Sequence, residues 1–270
     1  MDSIDLLAWQ ILNIIIAIFP SIILCIFIYK MDVIEKEPMP LLLKLFFLGI
    51  LITVPVAYIE SIIINITGLT EDNILSCFLL AFAVIAVVEE GYKFMILHLG
   101  TWHNKNFNHI YDAIVYAVFI SLGFATLENI LYVAKPTLNG ALYFIEPSVD
   151  SVMNGTLTGL LRALVSVPAH AFYAVSSGYY YGVSKLNYAI GSKSKGRKYK
   201  LYSILIPILL HGFFDFLILV GNEWFSWTFY CFITILYISS YFSIKKVSST
   251  EMTINLQRKG GLENESNIKK

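Results

Sequence analysis

Long apolar stretches, each of about 20 residues and separated by short polar breaks, recur along the whole sequence. A membrane-spanning α-helix needs roughly 20 apolar residues, because a rise of about 1.5 Å per residue must cover the hydrocarbon core of a bilayer. The pattern therefore predicts an all-α fold, a polytopic transmembrane helical bundle of about seven spans. The predicted spans are Leu6–Tyr29, Leu41–Ile66, Ile74–Leu97, Tyr111–Ala134, Gly155–Val183, Leu201–Val220 and Trp224–Ile244.

The composition supports a membrane protein. Of the 270 residues 57% are hydrophobic and only 14% are charged, and the mean hydropathy is +0.69, which excludes an ordinary soluble domain. The three cysteines fall in or beside apolar spans without metal-type spacing, so they indicate no disulfide framework. We expect a membrane-embedded domain over residues 1–244 and a basic, disordered cytoplasmic tail over residues 245–270, where the sequence becomes polar.

The lysines and arginines are distributed unevenly between the predicted loops, although the formal net charge is zero. With the N-terminus outside, the outer loops contain only Lys135, whereas the basic segment Lys193–Lys200 and the basic tail lie in the cytoplasm. This asymmetry predicts a multi-pass protein of the cell membrane with its N-terminus outside and its C-terminus in the cytoplasm. No aromatic interleaving or folded basic domain accompanies the basic segment, so nucleic-acid binding is not indicated.

Two adjacent carboxylates and a lysine, Glu89, Glu90 and Lys93, follow an apolar run inside the third predicted span. A charged side chain near the bilayer centre costs roughly 2.5–3.5 kcal/mol, so charges retained there serve either a function or a buried ion pair. Lys93 lies one helical turn from both carboxylates and can pair with either. One pair leaves the second carboxylate unexplained, which favours a functional role over a purely structural one.

Three further polar groups interrupt the later spans. They are Glu128-Asn129 on the fourth span, Arg162 and Pro168-Ala169-His170 on the fifth, and His211-Gly212-Phe213-Phe214-Asp215 on the sixth. Taken alone, Glu128 fits a structural hydrogen-bonding role as well as a chemical one, and a lone His170 is more often a core residue than a ligand. Pro168 frees a backbone carbonyl, which a membrane tolerates where protein or water binds it. The comparable depth of the groups favours one shared site that activates water.

The order of these motifs is similar to that of a known family. The matching segments are Tyr29-Lys30-Met31-Asp32 with Glu37-Pro38, Glu89-Glu90-x-x-Lys93, Tyr111-Asp112, Gly123-Phe124-Ala125-x-x-Glu128-Asn129, Arg162 with Pro168-x-His170 and Gly178, and His211-Gly212-x-x-Asp215-Phe216. They cover most of the chain, which resembles the PrsW-type intramembrane proteases, relatives of the CAAX-processing and bacteriocin-processing membrane proteases. A family member usually has a glycine where Ala113 stands. The resemblance implies proteolysis within or beside the membrane, with the paired glutamates, Glu128, His170 and His211 as the essential polar set.

The residues support a hypothesis in which a glutamate activates water. Glu89 is the general base, Glu90 and Lys93 set its charge state, and the histidines orient water or stabilise the oxyanion. No serine, cysteine or threonine has a recognisable nucleophile setting, so direct attack by water is favoured. The predicted catalytic residues are Glu89, Glu90, Lys93, Glu128, Asn129, His170, His211 and Asp215.

A metal ion is the alternative way to activate the water. His170, His211 and a carboxylate from Glu128 or Asp215 suit zinc with an open coordination position, but neither His-Glu-x-x-His nor a cysteine ligand set is present. The predicted metal ligands are His170, His211 and Glu128, with zinc as the candidate cofactor. The resemblance leaves both mechanisms open, the metal-dependent and the glutamate-based.

The expected substrate is a membrane-anchored protein, because a site within the bilayer accepts only peptide bonds already at the membrane. The resemblance narrows this to site-1 cleavage of a single-span anti-sigma factor in a stress response. The outer loop Lys135–Asn154, with Tyr143, Phe144, Glu146 and Pro147, is the expected docking place. The alternatives are a CAAX-like or peptide-processing protease, a scaffold, and a proton-coupled transporter, which is disfavoured because no inverted repeat is visible.

Overall fold

The computed structural model describes the backbone of residues 3–142 and 149–268 and the side chains of residues 8–134, 150 and 152–249. Within these residues the chain forms seven continuous helices and no strand, which confirms the predicted all-α fold. They are α1 (Ser3–Met31), α2 (Met39–Thr67), α3 (Ile74–Phe78, Leu79–Ala86 and Val87–Thr101), α4 (Ile110–Leu142), α5 (Val149–Leu161, Arg162–Ser166 and Val167–Ala189), α6 (Lys193–Val220) and α7 (Glu223–Ile268).

Six of the described helices, all except α5, are long and apolar enough to cross a membrane. The predicted fifth span, Gly155–Val183, is less apolar because it contains Arg162, His170 and several tyrosines, serines and glycines. Nevertheless α5 packs extensively against α4 and α6, so its polar side chains are sheltered by other helices. The prediction of a polytopic bundle with about seven spans is therefore confirmed.

The centre of the bundle is α4, in which every residue from Tyr111 to Thr126 is buried. Helices α1, α2 and α5 pack around it. Large apolar side chains instead point outward on the peripheral helices, for example Phe19, Leu51, Leu209 and Ile235, which are 58–66% exposed. This inside-out arrangement is the one expected of helices that face lipid.

Glycines allow α2 and α4 to approach closely. A Cβ atom at Gly123 would lie 2.0 Å from the carbonyl oxygen of Phe46, and one at Gly49 would lie 2.1 Å from that of Ile120. Any larger residue at either position would therefore push the two backbones apart. Small residues at helix interfaces have this role in membrane bundles, and here they fix α4 beside α2.

Two π-helical turns precede the candidate site residues. One, Leu79–Ala86, leads directly into the segment of α3 that contains Glu89 and Glu90. The other, Arg162–Ser166, ends where the N–H of Val167 bonds the carbonyl of Arg162 five residues back, just before Pro168, which has no N–H to donate. π-helical turns are frequent at functional sites. The backbone interruption predicted at Pro168 therefore has the form of a widened turn.

A second buried polar group ties the connection between α1 and α2 to the start of α4. The hydroxyl of Tyr116 donates a 2.5 Å hydrogen bond to Glu37. Asp112 accepts hydrogen bonds of 2.9 and 2.7 Å from the backbone N–H groups of Asn108 and His109. Burial raises the pKa of Glu37 to about 7, although the hydrogen bond from Tyr116 opposes this shift.

Two of the expectations concern segments at the margins of the described structure. Disorder is predicted from Lys245 onward, but the described backbone remains helical to Ile268. A helix that is already formed extends without a new nucleation step, and the segment contains good helix formers such as Leu, Gln, Glu and Lys. The cytoplasmic location of this tail stays a prediction.

The docking residues expected in the outer loop, Tyr143, Phe144, Glu146 and Pro147, lie outside the described residues.

Candidate active site

The carboxylates of α3 share a buried ammonium. The Nζ atom of Lys93 lies 2.8 Å from Glu89 Oε2 and 2.8 Å from Glu90 Oε1. The three residues are three and four positions apart on one helical turn, so they converge on the same side of α3. Each is no more than 5% exposed. The ion pair expected from the spacing is thus a three-membered group, in which one lysine serves both glutamates.

His211 on α6 lies against the same carboxylates. Its Nδ1 atom is 2.9 Å from Glu90 Oε1 and 3.9 Å from Glu89 Oε2. On the other side of the ring, Nε2 is 3.3 Å from Oδ2 of Asp215, one turn further along α6. Carboxylates accept hydrogen bonds but do not donate them when ionised, so acceptors at both ring nitrogens favour the imidazolium form of His211.

His170 on α5 reaches the group from a third helix. Its Nδ1 atom is 3.3 Å from Lys93 Nζ, and its Nε2 atom is 3.0 Å from Glu128 Oε2. The ammonium can only donate, so these partners assign the ring proton to Nε2 and the lone pair to Nδ1. Ser121 on α4 also donates a 2.9 Å hydrogen bond to the carbonyl of His170. Both ring nitrogens and the backbone of His170 are therefore fixed by neighbouring helices.

Glu128 and Asn129 of α4 are held by Arg162. The guanidinium Nη2 lies 2.9 Å from Glu128 Oε2, and Nε donates a 2.6 Å hydrogen bond to Asn129 Oδ1. The amide of Asn129 in turn donates to the carbonyl of Ala17 on α1, at 3.3 Å. The ring of Tyr132 lies 4.0 Å from the guanidinium carbon. This arrangement orients Glu128 toward His170 and links the site to α1.

All eight residues predicted from the sequence belong to this one connected group, to which four helices contribute. Three further residues belong to it, Arg162, Glu60 and Tyr173. Of these, the sequence motif contains only Arg162, and no role in the site is predicted for it. Glu60 on α2 is close enough to Glu89, Glu128, His211 and Lys93 for electrostatic interaction. Its signal in the sequence was the same as for Glu89, a carboxylate inside an apolar span. Tyr173 gave no such signal, because tyrosine is common in buried segments.

The donor set fits a metal ion. One ligand atom from each of Glu89, His170 and His211 lies within 4.8 Å of the others, and two histidines with a carboxylate are a known zinc ligand set. Glu128 and Asp215 hold the outer ring nitrogens of the two histidines, as carboxylates commonly do beside metal-bound histidines. Glu128 is not in the three-residue group, so the third ligand that this geometry offers is Glu89.

The charges of the site also favour a bound cation. Five carboxylates gather here, from Glu60, Glu89, Glu90, Glu128 and Asp215, while the lysine and arginine paired with them in the described structure are Lys93 and Arg162. An excess of negative charge in a buried site is costly unless protons or a cation balance it. A protonated His211 or a divalent cation would each reduce that excess.

Comparison with known proteins identifies the family. The model of the PrsW family of intramembrane metalloproteases matches residues 37–242, about three quarters of the chain. The chain belongs to the PrsW family. No solved structure shows a significant match to it.

Curated relatives agree with this membership, and each of them is named Protease PrsW. The relative from Clostridioides difficile (strain 630) is 34% identical over 209 residues, which are 77% of this chain and 80% of the relative. The relative from Oceanobacillus iheyensis is 33% identical over 231 residues, 86% of this chain and 94% of the relative. The relative from Bacillus subtilis (strain 168) is 32% identical over 209 residues, 77% of this chain and 83% of the relative. The resemblance to PrsW-type proteases is confirmed, and it supports a peptidase in a membrane.

Proposed function

We propose that this protein is an intramembrane endopeptidase that hydrolyses a peptide bond of a membrane-anchored protein by attack of an activated water. The observation that carries the proposal is that Glu89, Glu90, His170 and His211 converge in a buried position from three helices. Lys93 lies 2.8 Å from both glutamates and 3.3 Å from His170, and Glu90 lies 2.9 Å from His211. General bases, an orienting imidazole and cationic donors are the groups that water-mediated acyl hydrolysis requires.

In this proposal Glu89 is the general base, because Glu90 is engaged by both Lys93 and His211 at 2.8–2.9 Å. The ammonium of Lys93 lies 2.8 Å from both carboxylates and balances part of their negative charge. The histidines orient the water or stabilise the oxyanion. Glu128 and Asp215 act as positioning residues, since each carboxylate holds one ring nitrogen of a histidine. Asn129 acts through Arg162.

A bound zinc ion is compatible with the same residues. Glu89, His170 and His211 would hold it, and the ion would supply a more acidic water and a Lewis acid for the carbonyl. In the structure the ammonium of Lys93 contacts both Glu89 and His170, so it shares two of these three donors. A metal and the ammonium therefore compete for the centre of the site, and metal content discriminates between the two forms of the mechanism.

The proposed substrate is a single-span anti-sigma factor cut at its outer side, an assignment supported by membership of the PrsW family. A helical substrate must be locally unwound before its peptide bond reaches the site, because a helix sequesters its backbone groups. The proposed orientation places the N-terminus outside and the C-terminus in the cytoplasm, supported by the asymmetric distribution of lysine and arginine.

Comparison of membrane proteomes tests this function. Cells with the wild-type protein and cells with Glu89→Gln are compared, because glutamine keeps the shape of glutamate but cannot take a proton. We expect one single-span membrane protein to accumulate uncut in the variant. A change confined to prenylated or short peptides would instead favour a CAAX-like or peptide-processing role. Identical proteomes, together with solute uptake that depends on Glu89, would favour a transporter.

A further inference from the structure

Tyr173 has a buried hydroxyl for which the described structure contains no hydrogen-bond partner. The residue is 1% exposed. Other buried tyrosines are satisfied: Tyr116 donates to Glu37 at 2.5 Å, and Tyr111 donates to the carbonyl of Ile28 at 3.1 Å. An unpaired buried hydroxyl is destabilising, because it has lost its hydrogen bonds to water without replacing them. Such a group is retained at this cost where a ligand completes the bond.

The ring of Tyr173 packs directly on the candidate active site. It stacks on the imidazole of His211 with centroids 5.0 Å apart and an interplanar angle of 20°. It meets His170, one turn earlier on α5, edge to face at 6.0 Å. The tyrosine is also within range of electrostatic interaction with Asp215, Glu90 and Glu89. The ring of Tyr173 therefore borders the groups that would surround a reacting peptide bond.

Most other donors of the site are already engaged. Lys93 is shared between two carboxylates, and Arg162 donates a hydrogen bond from Nε to Asn129 while its Nη2 atom, which makes no hydrogen bond in the described structure, forms an ion pair with Glu128. Both ring nitrogens of His211 face carboxylates. An oxyanion needs hydrogen-bond donors that are in place before the charge develops. A hydroxyl that is fixed by ring stacking and still has its proton to donate meets this requirement.

We propose that Tyr173 is a further catalytic residue, whose hydroxyl donates a hydrogen bond to the oxygen of the scissile peptide group. This proposal rests on the proposed function. In the first step the water oxygen bonds to the carbonyl carbon, its proton passes to Glu89, and the carbonyl π electrons move to the oxygen that Tyr173 stabilises. In the second step the electrons on the oxyanion re-form the carbonyl, the C–N bond breaks with its electron pair passing to nitrogen, and the proton passes from Glu89 to that nitrogen.

The variant Tyr173→Phe removes the hydroxyl and leaves the stacked ring. With the purified protein in detergent and the membrane protein that accumulates in Glu89→Gln cells as substrate, we expect kcat to fall by about 10²–10³, the range typical for loss of one oxyanion donor. KM should change little, because the bond strengthens only as charge develops. Affinity for a peptidyl phosphinate, a tetrahedral analogue, should fall at least tenfold, while affinity for the parent peptide stays the same.

Thermal unfolding separates this role from a structural one. Loss of an unpaired hydroxyl should leave the midpoint of unfolding of Tyr173→Phe unchanged or raised. Tyr116→Phe is the matched control, because its hydroxyl is bonded to Glu37. In that variant the midpoint should fall, while turnover per folded molecule is retained.

The outcomes are distinct. A lowered midpoint and a normal kcat in Tyr173→Phe, with an active wild type, would show that the hydroxyl has a structural partner and would overturn this proposal alone. Equal cleavage by wild type and Glu89→Gln would overturn the proposed function, and the role of Tyr173 with it. A lowered kcat with weaker phosphinate binding and an unchanged midpoint supports the proposal.

Discussion

At the residue scale, each histidine of the site is held between an outer carboxylate and the centre of the group. Glu128 holds His170 through Nε2, and Asp215 holds His211 through Nε2, so both Nδ1 atoms are turned toward the carboxylates and ammonium of α3. The two rings are nearly perpendicular, at 79°, but each presents its Nδ1 atom to the same centre. This arrangement suits either a pair of groups that act on water or a pair of metal ligands.

The metal-dependent form of the mechanism makes a testable prediction from this arrangement. Purified protein should contain stoichiometric zinc that is lost in His211→Ala, and chelation should lower both the unfolding midpoint and activity. Because a zinc ligand must be unprotonated, zinc affinity measured by titration calorimetry should rise with pH. Active protein without bound metal would contradict this prediction and leave the glutamate-only mechanism.

The variant Lys93→Gln tests whether zinc and the ammonium of Lys93 compete for the same position. Without metal, loss of the ammonium leaves Glu89 and Glu90 unpaired in a buried site, and breaking a buried pair costs about 3–5 kcal/mol. Zinc should restore the unfolding midpoint of this variant by more than it raises that of the wild type, because the competing cation is gone. An equal shift in both proteins would place the metal away from Lys93.

The members of the site are predictable from the sequence, but their pairing is not. Ionisable residues in apolar spans are visible in any hydropathy pattern, and this signal led to Glu89, His170 and Glu128. Whether Glu128 is a ligand or binds Arg162 depends on the rotation of α4 relative to α5, which a single sequence does not determine. Tyr173 is identified only by the absence of a partner for its hydroxyl, which requires coordinates.

At the scale of elements, α3 combines a π-helical turn with the α-helical turn that presents the carboxylates. The hydrophobic pattern predicted the span but not this change of helical pitch, because all eight residues of Leu79–Ala86 are apolar and give no sign of it. The contacts of α2 with α4 depend on glycines at their crossing. The packing of α2 against α4 therefore depends on these glycines, which have no side chain.

Two glycine substitutions compare a glycine at a helix crossing with a glycine that has open space around it. Gly123→Ala should destabilise the protein by about 3 kcal/mol or more, because its Cβ would lie 2.0 Å from the Phe46 carbonyl and would force α2 from α4. Gly91→Ala, between the candidate site residues Glu90 and Lys93, should be tolerated or stabilising, since no atom lies within 4 Å of its Cβ and alanine favours helix. Thermal unfolding in detergent measures both, and a larger loss in Gly91→Ala would refute the packing argument.

At the scale of the whole molecule, a polar site is enclosed by a bundle whose outer surface is apolar. The sequence predicted this class well, because composition and span length are constrained by the bilayer. The sequence was least informative about α5, which contains Arg162 and His170. The position of α5 between α4 and α6 is determined by its packing against them.

The orientation of the bundle can be tested directly. Fusions of alkaline phosphatase or a fluorescent protein at the N-terminus, in the Lys193–Lys200 segment and at the C-terminus should report an external N-terminus and internal positions for the other two. Phosphatase activity from the basic segment would reverse the orientation. Termini on the same side would remove one span.

A pH dependence of stability is predicted for the connection between α1 and α2. Glu37 has a folded-state pKa of about 7, above the value of about 4.5 in an unfolded chain, because burial disfavours its charged form. The folded protein therefore binds an extra proton between these values, and its stability falls as pH rises from about 4.5 to 7. The midpoint of unfolding should decrease from pH 5 to pH 8 in the wild type and decrease less in Glu37→Gln. Parallel profiles in the two proteins would exclude Glu37 as the cause.

The composition of α5 has a consequence for biogenesis. If α5 entered the bilayer alone, Arg162 would meet hydrocarbon at a cost of roughly 2.5–3.5 kcal/mol at the centre, and α5 is the one described helix that is not long and apolar enough to cross a membrane by itself. In the finished bundle the guanidinium binds Glu128 of α4, which the ribosome delivers earlier. The two helices can therefore leave the translocon as a hairpin whose charges are already matched. The ion pair between Arg162 and Glu128 would then also retain α5 in the membrane during synthesis, and we expect loss of Glu128 to reduce the yield of inserted protein.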